Sequence, residues 1–334
     1  MLDKIFADIQ DFKKYVGGGA NMSLSMSSIV PVMHDAARDH LVPYLGGEFW
    51  GTLNGELPMN TQIPPTALTY IKRPLALLTM YEYSKIAGVQ ASELGLMRVS
   101  TDSHQSAFRY QETDYRAYML EKGYEALDEL LVFLMTNRAD YAWWHDSAGF
   151  AKHTELFVRY ASQLRSHYGM NISRYTYEIL RGVLRDVEYF VIESFLPIAF
   201  VEHLRGLNET GSPTPQEIQV LVMVQAACVH LAIQEGLKRE CVQFKGRSVV
   251  QLEKDNTQSN TNEKTASKDG LTMKLLHHEI SANRHLRRLT AYIRRNADAF
   301  PLVFTGTDAW KTETQVIESQ TIAQDTKTKT ILLL

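Results

Sequence analysis

The stretch Thr214-Pro215-Gln216-Glu217, running straight into the apolar residues 218–233, decides how this chain is read. Thr214 is a helix cap. Pro215 suits the first helical position, where its missing N–H costs nothing, and Glu217 stands three residues after the cap, where a carboxylate can return to the cap's own N–H. The apolar run is broken by Gln219, Gln225 and His230 and falls short of the roughly 20 residues that cross a bilayer. It predicts a helix buried in the core of a soluble protein, with no membrane as partner.

A similar helix stands 150 residues earlier, where Pro65 opens an apolar segment reaching about Ala87, with Leu68, Ile71, Leu75, Leu78 and Tyr81 on one side. Pro74 threatens its middle. Upstream, Phe6, Ile9, Phe12 and Val16 recur at helical spacing until Gly17-Gly18-Gly19 stops them. Serine hydroxyls around 23–28 then offer caps for a helix from about Ile29 to Leu45, with Pro31 in its first turn and Pro43 set to fray its last. Downstream, Leu96-Met97-Arg98-Val99-Ser100 and Ala107-Phe108-Arg109-Tyr110 flank a polar turn and predict a small hairpin. A long helix follows from about Thr113 to Asn137.

The second half repeats this order at nearly constant separation, the signature of an internal duplication. Asn21 and Ser23 match Asn171 and Ser173 at 150 residues. Val32, Leu45, Phe49, Leu53 and Gly55 match Val183, Leu196, Phe200, Leu204 and Gly206 at 151, and the ends of the fourth helices, Ala139-Asp140 and Ala297-Asp298, lie 158 apart. The added length falls in the polar loop 254–268, which replaces the turn around Asp102. The expected fold is mainly α: two tandem helical domains of about four helices each, with a small β-hairpin in each, over residues 1–148 and 149–305. Residues 306–334 read either as a disordered terminus or as an extended arm whose Val316, Ile317, Ile322, Ile331, Leu332, Leu333 and Leu334 are suited to docking on a partner.

Composition supports this reading. Of 334 residues 45% are hydrophobic and 22% charged, enough apolar surface for two cores without metal or disulfides. A net charge of −3 argues against a protein that coats nucleic acid over its whole surface. Cys228 and Cys241 lie in or just after one helix and read as thiols in a reducing compartment. The start, Met1-Leu2-Asp3-Lys4-Ile5, lacks the apolar core of a secretion signal.

No catalytic, cofactor-binding or metal residues are expected, and the chain does not read as an enzyme. The glycine run is followed by no Gly-Lys-Ser/Thr. His277-His278-Glu279 would need a second histidine at 282 to resemble a zinc protease, and that residue is Ala282. His34 and His40 are six apart and do not share a helical face. Asp102-Ser103-His104 are consecutive, whereas a nucleophile, base and orienter converge from separate segments.

The stronger signal is electrostatic. Residues 112–137 hold Glu112, Asp114, Glu121, Glu125, Asp128 and Glu129 against Arg116 and Lys122, a net −4, while residues 272–296 hold Lys274, Arg284, Arg287, Arg288, Arg294 and Arg295 against Glu279, a net +5. Glu121, Glu125, Asp128 and Glu129 are candidate interface acids on a solvated face. The six basic residues are candidates for a subunit interface or for facing DNA. Three readings stay open: solvated faces with no partner, acidic and basic faces that meet within or between chains, and a basic helix facing phosphates.

The helix end Ala36-Ala37-Arg38-Asp39-His40-Leu41-Val42-Pro43-Tyr44-Leu45-Gly46, followed by the Pro-led apolar helix through residues 67–81, resembles the small helical head–tail connector (adaptor) proteins of tailed bacteriophages. The resemblance covers residues 6–88, with a fainter echo at 154–240. It implies a structural virion protein of the neck, assembled in the host cytoplasm into a homo-oligomeric ring with an axial passage for DNA. Its partners would be the portal protein and the next neck or tail component, with non-specific DNA contact. Connectors of this kind are usually single-copy and shorter, so the duplication, the long fourth helix and the arm depart from the pattern. The alternative is a helical nucleic-acid-binding or regulatory protein that uses the basic helix 272–296.

Overall fold

The computed structural model describes residues 5–17, 24–47, 50–51, 65–87, 89–92, 95–98, 109–169, 172–210, 212–239, 242–245, 248–251 and 268–304. Cys241, the Asp102-Ser103-His104 turn, most of the polar loop and the whole arm, from Val316 and Ile317 to Leu334, lie outside these residues. The described chain is mainly helical and carries two short two-stranded hairpins. It divides into two compact units. The first comprises Met1–Glu155, Arg159–Ile179 and Gln243–Gln251, and the second Leu156–Val158, Leu180–Val242 and Leu252–Leu334.

The first unit opens with α1, Ile9–Val16, capped by Asp8, whose Oδ1 accepts the N–H of Asp11 at 2.8 Å. It ends at Gly17, whose φ of 76° is a left-handed value that favours glycine. Ser25 caps α2, Met26–Ala36, which continues through a π-helical turn, Ala37–Leu41, into α3, Val42–Leu45. Pro31 therefore lies inside α2 and not in its first turn, because the cap is Ser25 and the helix begins three residues before the expected Ile29. The apolar helix α4, Pro65–Ile86, runs unbroken through a buried Pro74 and packs on α5, Arg109–Thr136. A Cβ on Gly123 of α5 would lie 2.7 Å from the side chain of Leu78, so the two helices approach too closely for anything larger. Phe6, Phe12, Ile29, Leu75, Leu127 and Leu134 are among the fully buried residues of this core.

Between α4 and α5, β1 (Val89–Ser92) pairs antiparallel with β2 (Gly95–Arg98), placing Val89 opposite Arg98 and Ser92 opposite Gly95. The expected hairpin is thus one strand out of place. Leu96 to Arg98 are extended but pair backwards, and Arg109-Tyr110, read as strand, form the first residues of α5. Runs this short have no decisive period, and the longer helix claims them. Beyond α5 come a 3₁₀ turn (Arg138–Asp140), α6 (Ala142–His145) and α7 (Ala148–Thr154). The buried Trp144 donates from Nε1 to the carbonyl of Tyr44 at 2.9 Å. Gly149 brings α7 so near that carbonyl that no side chain fits. The unit also includes α8, Ala161–Tyr168, and the start of α9, Arg174–Val187.

In the second unit α9 passes into another π-helical turn, Glu188–Ile192, then α10 (Glu193–Phe195) and α11 (Ile198–Thr210). The reciprocal cap expected of Thr214 and Glu217 starts α12, Pro215–Lys238. Its most apolar window has a mean hydropathy of 1.6 with 78% of it buried, as a core helix requires. β3 (Val242–Lys245) and β4 (Ser248–Gln251) follow in the chain, with Gln243–Gln251 counted in the first unit, and in the second unit α13, Lys268–Arg295, packs along α12. A 3₁₀ turn (Ala297–Ala299) leads to α14, Pro301–Phe304, and Phe300 meets Phe200 of α11 edge-on.

The duplication is visible in local geometry. α1 and α8 each have eight residues, 152 apart, and end at Gly17 and Gly169 with φ of 76° and 72°. The π turns lie 151 apart, at Ala37 and Glu188. Only the first is followed by a proline within α-helix, so the turn belongs to the repeat and is no response to Pro43. Both fourth helices have 28 residues, and Asn137 and Asn296 each return a side-chain amide to the carbonyl four residues back at 2.8 Å. Matching these asparagines sets the offset at 159, one more than the sequence comparison of Ala139 with Ala297.

Candidate interaction surfaces

The basic residues of α13 lie on one helix. Lys274, Arg284, Arg287, Arg288 and Arg295 are exposed and Arg294 is half-buried. Arg284, Arg287, Arg288 and Arg295 follow one another at spacings of three, one and seven, which keeps them on one face. The N-terminal part of that face is apolar and open: Met273 is 67% exposed, Leu276 47% and Ile280 50%. The inner face holds Ala282, Leu286, Leu289 and Ile293, all buried.

The acidic residues of α5 do not share one fate. Glu121 is exposed, Glu125 is paired with Lys122 at 2.6 Å, and Glu129 with Arg73 of α4 at 2.8 Å. Asp128 corrects the expectation of a solvated face: it is buried, and its Oδ1 meets Arg174 Nη1 at 2.7 Å and accepts the N–H of Ala161 at 3.3 Å. Arg174, fully buried, also reaches Glu178 at 2.7 Å through Nε and stacks over the rings of Tyr177 and Tyr44. Burial opposes the Arg174 charge, but Glu178, Tyr177 and Asp128 outweigh it and hold its pKa above the ordinary arginine value. Glu121, Lys122, Glu125, Asp128, Ala161, Arg165, Ser173 and Arg174 enclose a hollow of about 90 Å³, far below the ~300–1,000 Å³ of sites that engulf small molecules.

Two further buried polar groups escaped the sequence reading. In the second unit Glu188 accepts the N–H of Phe157 at 2.9 Å and faces Arg205 at 3.6 Å, while Arg205 pairs with Glu193 at 2.8 Å. Burial pushes the nearby Cys228 thiol well above the usual cysteine range, which leaves it unreactive. Between α12 and α13, His230 and His278 share a hydrogen bond between their Nδ1 atoms at 3.3 Å, with the His285 ring stacked on His230. Burial, then His230, His277 and Lys274, push the His278 pKa down to about 4. Among the described residues no group of three or more His, Cys, Asp or Glu could hold a metal ion. His40 bridges Tyr124 and Glu82 inside the first unit at 3.0 and 3.1 Å.

These features define a tandem-repeat helical protein whose distinctive surface is a basic, partly apolar helix face. Residues 42–154 and 193–309, together more than half of the chain, each match the model of one family, described as a family of unknown function (DUF6712), and the chain belongs to that family. The two matches begin 151 residues apart, the offset of the π turns. No curated protein and no solved structure matches the chain.

Proposed function

We propose that this chain is a structural protein that assembles with copies of itself into a ring of the head–tail connector kind, lying between a phage portal and the next neck component. One observation carries the reading. At the offset of 159, Glu125, Asp128 and Glu129 of α5 correspond to Arg284, Arg287 and Arg288 of α13, so one repeated face has opposite charge in its two copies. In the acidic version Asp128 is engaged by Arg174, Glu125 by Lys122 and Glu129 by Arg73, and in the basic version Arg284, Arg287 and Arg288 are exposed. A chain with one such face filled and its equivalent empty is suited to head-to-tail association, which closes into a ring if the rotation between subunits allows. The resemblance over residues 6–88 supports the same reading.

Negative-stain electron microscopy of the purified full chain, alone and with a candidate portal, is expected to show rings. Monomers in both samples would overturn it. The exposed arginines of α13 favour a second reading, phosphate binding to nucleic acid. Duplex DNA binding that weakens steeply with salt and is lost on neutralising Arg287, Arg288, Arg294 and Arg295 would favour that reading.

A further inference from the structure

Within the first unit, the segment Arg159–Ile179 forms a defined joint with α5. The N–H of Ala161, at the first position of α8, and the guanidinium of Arg174 converge on Asp128 Oδ1. Each side of that joint has a repeat equivalent. On the receiving side, the offset of 159 takes Glu121, Glu125, Asp128 and Glu129 to Ile280, Arg284, Arg287 and Arg288. On the inserting side, the offset of 152 between α8 and α1 takes Arg159, Tyr160 and Ala161 to Ala7, Asp8 and Ile9.

Exposure separates the filled joint from the empty one. Tyr160 and Ala161 are buried, at 8% and 1% exposed, whereas Ala7 and Asp8 are exposed and Ile9 is half-buried. Likewise Asp128 is buried, and Arg287 is exposed. Charge reverses on the receiving side, while on the inserting side the positive charge is lost and one carboxylate is gained at the helix start, since Arg174 corresponds in sequence to Met22 and Tyr160 to Asp8. The receiving set changes from four acids to three arginines and an isoleucine. The inserting set changes from Arg159 and Tyr160 to Ala7 and Asp8. Gln163 becomes Asp11, already held by Lys72 at 2.7 Å, and Lys13 alone keeps the sign of its counterpart, Arg165.

Building on the assembly reading above, we propose that these two uncovered surfaces meet between chains. The Ala7–Ile9 end of α1 in one copy docks on the Ile280–Arg288 face of α13 in the next, taking the place that the start of α8 takes on α5 inside the first unit, with the acidic and basic partners exchanged. Asp8 takes the place of the α8 N-terminus and meets Arg284 and Arg287. Ala7 and Ile9 cover Ile280 and Leu276. Asp8 Oδ1 is used by the N–H of Asp11, which fixes the carboxylate in an outward-facing cap and leaves Oδ2 to the arginines.

The test uses the full chain in mass photometry at physiological salt, comparing the parent with Asp8→Arg, Arg287→Glu, the double variant, and an equal mixture of the two single variants. Each single variant is expected to need about tenfold more protein to assemble, because it sets like charges against each other. The double variant and the mixture are expected to recover, since each contains matched pairs; that recovery also shows that the singles fold. Single variants that assemble like the parent would overturn this joint while leaving ring assembly standing. A parent that stays monomeric overturns both. Duplex DNA binding abolished by Arg287→Glu with assembly unchanged would assign the α13 face to phosphates and overturn the joint as well.

Discussion

Replacing Arg174 by methionine tests whether the joint on α5 is held by a buried charge network. The Arg174 side chain is 1% exposed and its partners Asp128 and Glu178 are 7% and 15% exposed. Removing the guanidinium strips two charge-assisted bonds of 2.7 Å and leaves Asp128 with the N–H of Ala161. Breaking one side of such a buried pair costs about 3–5 kcal/mol. Glu178 can regain water, which places the cost at about 3 kcal/mol, including the lost stacking on Tyr177 and Tyr44 at ~0.5–1 kcal/mol each. Removing both charges, as Arg174→Met with Asp128→Leu, is expected to cost less, about 1–2 kcal/mol, because Asp128 no longer stays buried as an uncompensated charge and the Ala161 N–H loses its acceptor. Urea unfolding followed through the buried Trp144 should show the single variant's midpoint lower by about 1–3 M, given slopes of ~1–3 kcal/mol per M, and the double variant's between that and the parent's. A single-variant midpoint within about 0.3 M of the parent would refute the reasoning.

Three other outcomes follow from the geometry. His278 stays neutral when folded, with its pKa down at about 4, while the unfolded chain takes up that proton below about 6.5. Its contribution is therefore intact above pH 6.5 and is lost as pH falls toward 4, by about 2–3 kcal/mol; in His278→Leu the urea midpoint should depend less on pH across that window, and equal slopes in the two proteins would contradict this. Glu188→Ala should lower the melting temperature of the second unit by about 6–15 °C, since it leaves Arg205 and the Phe157 N–H without their buried acceptor. Gly149→Ala should destabilise strongly, because the added Cβ would lie 2.2 Å from the Tyr44 carbonyl oxygen, whereas Gly182→Ala in α9, with nothing within 4 Å, should be neutral or stabilising by up to about 1 kcal/mol. Thermal melts of the two glycine variants decide it, and equal melting points would count against the close approach of α7 to α3.

Much of the fold was legible because its signals are local. Pro65 and Pro215 mark helix starts, and Thr214 with Glu217 makes the reciprocal cap that their spacing predicts. The repeat was readable in the same way, since residues at constant offsets need no knowledge of contacts. Long-range features were not legible. Asp128 looked solvated on its own helix, because the arginine that buries it stands 46 residues further on, in another element. His230 and His278, 48 apart, are polar interruptions of two apolar stripes until α12 and α13 are laid together. The π turns leave no mark in the apolar period, since each adds one residue to a single turn and the stripe resumes. The first hairpin was displaced for the opposite reason: β1 and β2 are four residues each, too short for alternation to fix their ends.

The central claim is that the chain assembles head to tail through equivalent faces of unlike charge. Mass photometry of the purified full chain across a range of concentrations tests it most directly. A discrete closed species at a multiple of 38.0 kDa that dissociates as salt rises is expected. A single 38.0 kDa species at every concentration and at low salt would contradict it.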